Sequence, residues 1–442
     1  MGASLILLGL ELFSPSLTIN SRAILSYGLE EKRDDSHLRR GLNEEFNSTN
    51  SFLDEDHNIT VSTFNSTTLT YSPGNLVECD KYLGLMLSKG LSCKLIAQHG
   101  EFVPYPNGSY SDTKFHKDPD AGAVFPDPRP DNQGGWIYVS NAESSRYGGV
   151  GALTFNSKGE VIDYRYVLPK GQSVDNCGGG KTPWNTWISC EEHDYGFCWQ
   201  VDPTGERPAE KTVLGMGPME SAAVDYRNPA VPRFFVTEDS SMGPLRRFTP
   251  SPETVAHAAE LNDTWILLHD ANGTMEYLVV DNVTNTYHWT TSEWEGRQTA
   301  QDNYPGMEGI DIVEQNLYFV AKKVQLLYSL NLDDGTYNVS STTHGEFDGE
   351  PDQIQSTFGN NDLLYFTEDG NFSNGIHGRD AYSRSFTVLE GNGKYKSETT
   401  GLAFSLNNDH LYFAFQDQGS LFDCFRDDGY SFTGKALNMK YN

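Results

Sequence analysis

Six aromatic, strand-like cores recur along the chain: GGWIYVSN near Trp136, NTWISCEE near Trp187, RFFVTEDS near Phe234, NLYFVAKK near Tyr318, LLYFTEDG near Tyr365 and HLYFAFQDQG near Tyr412. Most successive cores are about 47 residues apart, the length of one four-stranded propeller blade. Turn-forming clusters lie between them, such as Asn156-Ser157-Lys158-Gly159, Asp333-Asp334-Gly335 and Asn407-Asn408-Asp409. The interval from Phe234 to Tyr318 is nearly double, and a degenerate blade or an insertion around TWILLHDANGTMEYLVV fills it. The pattern predicts an all-β chain, a β-propeller of about six blades, with five to seven open, over residues 101–440.

Upstream of the repeats the sequence changes character. Residues 1–20 hold a short apolar run, Leu5 to Leu10, which Glu11 interrupts, and read as a weak leader. Residues 21–75 are rich in Ser, Thr, Asn, Asp and Glu without a period, and read as a disordered polar tail. In residues 76–100, apolar side chains from Tyr82 to Leu87 fall at helical spacing, which predicts a short helix packed on the main body.

Charge and cysteine content narrow the setting. The chain carries 61 Asp plus Glu against 32 Lys plus Arg, a net charge of −29. Such a balance argues against nucleic acid or an anionic membrane as partner and suits a protein that neutralises carboxylates with cations such as calcium. No run is long enough to span a bilayer. Asn-x-Ser/Thr sequons begin at Asn47, Asn58, Asn65, Asn107, Asn262, Asn272, Asn282, Asn338 and Asn371, which favours an extracellular protein. In an oxidising compartment Cys79 with Cys93 and Cys190 with Cys198 offer short disulfide loops, with Cys424 left free.

The chemistry concentrates between Asn176 and Glu192, NCGGGKTPWNTWISCEE. Cys177 offers a soft thiolate, and Glu191 and Glu192 offer hard oxygens, a set suited to a borderline transition metal beside a hard cation. Gly178, Gly179 and Gly180 allow backbone to come close to whatever sits there. GGGKT is not a phosphate-binding loop, because Asp175 stands where that motif needs its first glycine and Pro183 follows at once.

Acids recur at a constant place after the aromatic cores: Asn141 with Glu143, Glu191 with Glu192, Glu238 with Asp239, and Glu368 with Asp369. In a propeller these strand ends meet around the central channel, where converging carboxylates repel unless cations sit between them. Glu220, Glu308, Asp352 and Glu398 stand near glycine or proline, where loops approach the axis. His193 is a further metal-binding candidate, although a lone histidine after a strand is more often a surface residue. A multi-cation site at the channel mouth is the expectation.

The stretch NCGGGKTPWNTWISCEE resembles the signature of the PhoX-type alkaline phosphatases, with Gly178 for alanine and Asn185 for glycine. Looser matches follow in order: WIYVSNAES and GGVGALTF before it, then MESAAVD, FFVTEDSSMGPLRRFTP, MEGIDI, EPDQI with YFTEDG, and ETTGLAF. The resemblance implies a propeller whose channel mouth holds ferric iron and calcium bridged by an oxo group, hydrolysing phosphate monoesters outside the cell. It implies that Cys177 is the iron-bound thiolate, that Glu192, Glu220 and Glu308 bridge or cap iron and calcium, and that Asp239, Glu368 and Asp369 complete calcium sites. Two positions depart from the family. Gly306-Met307-Glu308 replaces an Arg-Pro-Glu whose arginine grips phosphate, and Met219 stands where members often carry histidine. Arg146, Arg246, Arg247 and Lys322 are candidates to replace that arginine. The alternatives are a non-catalytic calcium-binding propeller and a calcium-dependent lactonase or esterase.

Overall fold

The computed structural model describes residues 71–342, 350–357, 360–370, 373–380 and 382–433. The expected leader and the polar tail as far as residue 70 lie outside the described residues. The rest is a six-bladed β-propeller in which each predicted aromatic core is the second strand of a blade. The six innermost strands, from blade one to blade six, are Pro119–Pro126, Asn176–Lys181, Met219–Asp225, Met307–Val313, Glu350–Thr357 and Thr399–Phe404. Each pairs antiparallel with the core strand that follows it: Trp136–Ala142, Trp187–Glu191, Arg233–Glu238, Asn316–Ala321, Asn360–Asp369 and His410–Phe415.

Residue size explains this order. Inner strands converge on an axis, so sequences such as DAGAV, CGGG and ESAAV put alanine and glycine where neighbouring backbones nearly touch. A Cβ on Gly178 would run into the Glu220 carbonyl, and one on Gly180 into Ala222. One strand further out the wedge between blades widens, and aromatic side chains fill it. Phe234 and Phe248 help fill the wedge between blades two and three, Phe235, Phe319 and Tyr328 the next, and Tyr365, Phe404, Phe413 and Phe422 the one between blades five and six. Each such ring buries roughly 150–250 Å², so these wedges are where the hydrophobic stabilisation lies.

The long Phe234–Tyr318 interval is an insertion within blade three, not a seventh blade. It adds a fifth strand, Thr286–Thr290, and two helices, Pro252–Leu261 and Glu293–Asn303. Ser251 and Ser292 cap these helices by accepting from the backbone N–H groups of Thr254 and Glu295.

Two expectations for the N-terminal segment are corrected. Residues 76–100 hold no helix; they contribute to the strands Ser72–Glu78, Leu85–Lys89 and Leu91–Gln98. Gly84 and Gly90 take positive φ (92° and 85°), which breaks any helix and makes the turns, and Leu85 and Leu87 face one core in strand alternation. The first two strands extend blade five, and Leu91–Gln98 becomes the fourth strand of blade six, so N- and C-terminal chain close the ring together. The expected Cys79–Cys93 loop does not form. Cys93 lies directly opposite Cys424 across that closing pair and is bonded to it, while Cys79 is free. A bond spanning 331 residues restricts the unfolded chain and stabilises the closed ring by up to about 5 kcal/mol. Cys190 and Cys198 are bonded across neighbouring strands as expected.

Candidate metal centre

All six inner strands carry a bulge at the same end. The register shifts fall between Pro119 and Gly122, Asn176 and Gly179, Met219 and Ala222, Met307 and Ile310, Pro351 and Ile354, and Thr400 and Ala403. The first residues within these bulges are Asp120, Cys177, Glu220, Glu308, Asp352 and Gly401. A second ring follows the core strands. The residues paired next to each bulge are Ala142, Glu191, Glu238, Ala321, Glu368 and Ala414. In blades one to five the residues after them are Glu143, Glu192, Asp239, Lys322 and Asp369; in blade six Gln416 stands two residues after Ala414.

The inner ring is buried. Cys177 Sγ lies 3.7 Å from Asp120 Oδ2 and 3.5 Å from Glu220 Oε1. Glu220 is fully buried and its Oε2 has no hydrogen-bond partner. Three overlapping sets of ligand atoms, each mutually within 4.8 Å, run across the mouth: Asp120–Glu143–Cys177, Cys177–Glu192–Glu220 and Glu220–Glu308–Asp352. Burial, then neighbouring acids, push the carboxyl groups upward: Asp352 to about 6, Glu143 to about 7 and Glu192 to about 8, with Asp120, Glu220, Glu308 and Glu398 also raised. Burial, with Asp120 and Glu220 beside it, raises the Cys177 thiol as well. An orphaned buried oxygen, a thiol between acids, and more negative charge than the protein neutralises fit a set of bound cations.

The paired acids divide by position. Glu192, Asp239 and Asp369 belong to the mouth, whereas the first member of each pair is held by the protein. Glu191 accepts from the backbone N–H groups of Val174 and Phe197 (3.3 and 2.9 Å). Glu238 is ion-paired with Arg246 and, at 3.4 Å, with Arg297. Glu368 bonds His377 Nε2 at 2.9 Å and accepts from Gly375 N–H at 3.1 Å. The Asn141 side chain is also fully engaged: Nδ2 donates to the carbonyls of Cys177 and Gly178 (2.7 and 2.8 Å), and Oδ1 accepts from Trp187 Nε1 and Ser189 Oγ (both 2.9 Å). Asn141 therefore positions the strand that carries Cys177. His193 lies outside the three ligand sets, 4.0 Å from Glu191.

Of the four basic candidates, Lys322 stands in the cluster, 2.5 Å from Glu308 and 3.4 Å from Asp239. Arg246 serves Glu238, Arg247 serves Glu276 at 2.6 Å, and Arg146 lies over the Tyr147 ring.

Sequence reasoning missed Asp120 and its partners. Asp120 accepts from Gln353 Nε2 and Gln416 Nε2, both at 2.7 Å, tying together blades one, five and six. Gln416 Nε2 also donates to Glu143 at 2.6 Å. The signal was present: Asp120-Ala-Gly, Cys177-Gly-Gly, Glu220-Ser-Ala and Glu308-Gly-Ile share a ligand-type side chain before small residues. Counting repeats from the aromatic cores placed the first inner strand upstream of the first repeat.

No family model matches the sequence, and neither does any curated protein. Among solved structures the chain is similar to Pseudomonas fluorescens PhoX in complex with vanadate, a transition state analogue. The TM-score is 0.61 at 13% identity, covering 83% of this chain and 99% of that one. The chain shares a PhoX-like propeller fold. Weaker likenesses have TM-scores below one half: the PQQ domain of a Coprinopsis cinerea pyranose dehydrogenase (0.46, 12% identity, 80% and 100% covered) and a Bacteroides thetaiotaomicron protein of unknown function (0.43, 9% identity, 76% of each).

Proposed function

We propose that the chain is an extracellular phosphoric monoester hydrolase of the alkaline phosphatase type, working with iron and calcium held at the channel mouth. The observation that carries the reading is the Cys177 thiol set between Asp120 and Glu220 in overlapping ligand sets, a soft donor among hard ones. Cys177 with Glu192 and Glu220 would hold the iron, and Asp120, Glu143, Glu308, Asp352 and Glu398 would supply oxygens for calcium. When bound, such cations neutralise the charge of a phosphate ester and act as Lewis acids on it. The chain's own part is positioning. Asn141 fixes the Cys177 strand, Gln353 and Gln416 orient Asp120, and the glycines of blade two let that strand lie against Glu220.

Secretion is supported by two disulfides and by the exposure of every sequon asparagine among the described residues, Asn107, Asn262, Asn272, Asn282 and Asn338. No helix among these residues is long and apolar enough to cross a membrane.

The test is elemental analysis of natively purified protein, with hydrolysis of p-nitrophenyl phosphate assayed on the same sample with and without added calcium. Iron and calcium together with turnover are expected. Calcium without iron or turnover would overturn the phosphatase reading and leave a calcium-binding propeller.

A further inference from the structure

We infer that Lys322 is a built-in cation that takes the place of a calcium ion on the blade-four side of the mouth. This inference rests on the metal-centre reading above. Lys322 follows Ala321 at the end of its core strand, the ring position that holds Glu143, Glu192, Asp239 and Asp369 in blades one, two, three and five. Blade four thus places a cation where those blades place a ligand-type side chain.

The surroundings match that exchange. Lys322 Nζ lies 2.5 Å from Glu308 Oε1, 3.4 Å from Asp239 Oδ2 and 3.6 Å from Asp369 Oδ2. These three acids come from blades four, three and five, so the ammonium sits among oxygens that converge from three directions, as a hard cation would. The side chain is 13% exposed, and its backbone N–H donates to the Gly306 carbonyl at 2.7 Å, which anchors the lysine at its root. Asp239 and Asp369 belong to none of the three metal-competent sets, whereas their counterparts Glu143 and Glu192 do. The metal centre is therefore asymmetric: exogenous cations occupy the three ligand sets, and the protein supplies its own between Asp239 and Asp369, with Glu308 shared by both.

Metal counting on full-length protein tests this. Lys322→Met frees the three acids, so elemental analysis and calcium titration calorimetry should find one more calcium per chain than in wild type. Lys322→Arg, which keeps the charge, should match wild type. Asp369→Asn lies at the exposed rim and tests the same point if the methionine variant does not fold: its metal count should equal that of wild type, and loss of a calcium overturns the inference. Equal counts in wild type and a folded Lys322→Met also overturn it. A wild-type chain that binds no metal instead overturns the metal-centre reading, so the two failures are distinguishable.

Discussion

On the blade-two side of the mouth Cys177, Glu192 and Glu220 face one another, and no side-chain ion pair to these three is formed among the described residues; on the blade-four side Glu308, Asp239 and Asp369 converge on Lys322. Both sides are built from the same bulge and the same two ring positions. They meet the cost of crowding buried acids differently. One places a cation of its own among them, and in the other burial and neighbouring acids push the carboxyl groups upward. A second contrast lies one residue back along the core strands. Glu191, Glu238 and Glu368 are satisfied by backbone N–H groups, arginines or a histidine, and so are part of the fold.

The contrast between ring and fold is broken most strongly at Cys177 and Glu220. Cys177→Ser and Glu220→Gln should each lower phosphatase turnover and iron content by more than about 100-fold, since even second-layer changes at metal sites cost about 10–100-fold. Circular dichroism should leave the strand signal intact. Wild-type rates in both variants would remove the proposed site.

Asn141→Ala comes next, with about a 10–100-fold loss of metal affinity in a competitive chelator titration, because the Cys177 strand loses its two side-chain clamps. An unchanged affinity would mean that the glycine-lined contacts position Cys177 unaided.

Glu238→Ala should act oppositely. It strands the buried Arg246 and should cost about 3–5 kcal/mol in urea unfolding, with metal content unchanged. Loss of metal without loss of stability would move Glu238 from the fold into the centre.

The smallest effect is in pH. Carboxyl groups whose pKa is raised by folding contribute stability that is complete below their unfolded values and is lost as pH rises through the folded ones. The folded values of Asp352, Glu143 and Glu192 span about 6 to about 8. The melting temperature of metal-free protein should therefore fall by a few degrees from the ordinary carboxylate range, about pH 4, up to about pH 8. Metal-loaded protein should fall less, because bound cations favour the ionised acids. Parallel curves would show that metal does not engage these groups.

The sequence alone pointed to a propeller of about six blades and to most of the acids and the thiol that the structure brings together at the mouth. The aromatic cores could be counted because each blade repeats one packing problem, large rings in a widening wedge, and Cys177, Glu220, Glu308 and Asp352 stood out as reactive side chains beside small residues. Local order was not enough where distant chain decides the outcome. The segment from Tyr82 to Leu87 has helical spacing, yet its residues from Leu85 on become strand because the edge of blade five offers them backbone partners, while Tyr82 to Gly84 form the turn before it. Cys93 could not be paired with Cys424 from spacing, since only ring closure brings strands 331 residues apart into register. Tertiary structure alone divided each acid pair, because neighbouring residues at a strand end point to opposite sides and only the packed blades show which side holds a counter-ion and which faces the channel.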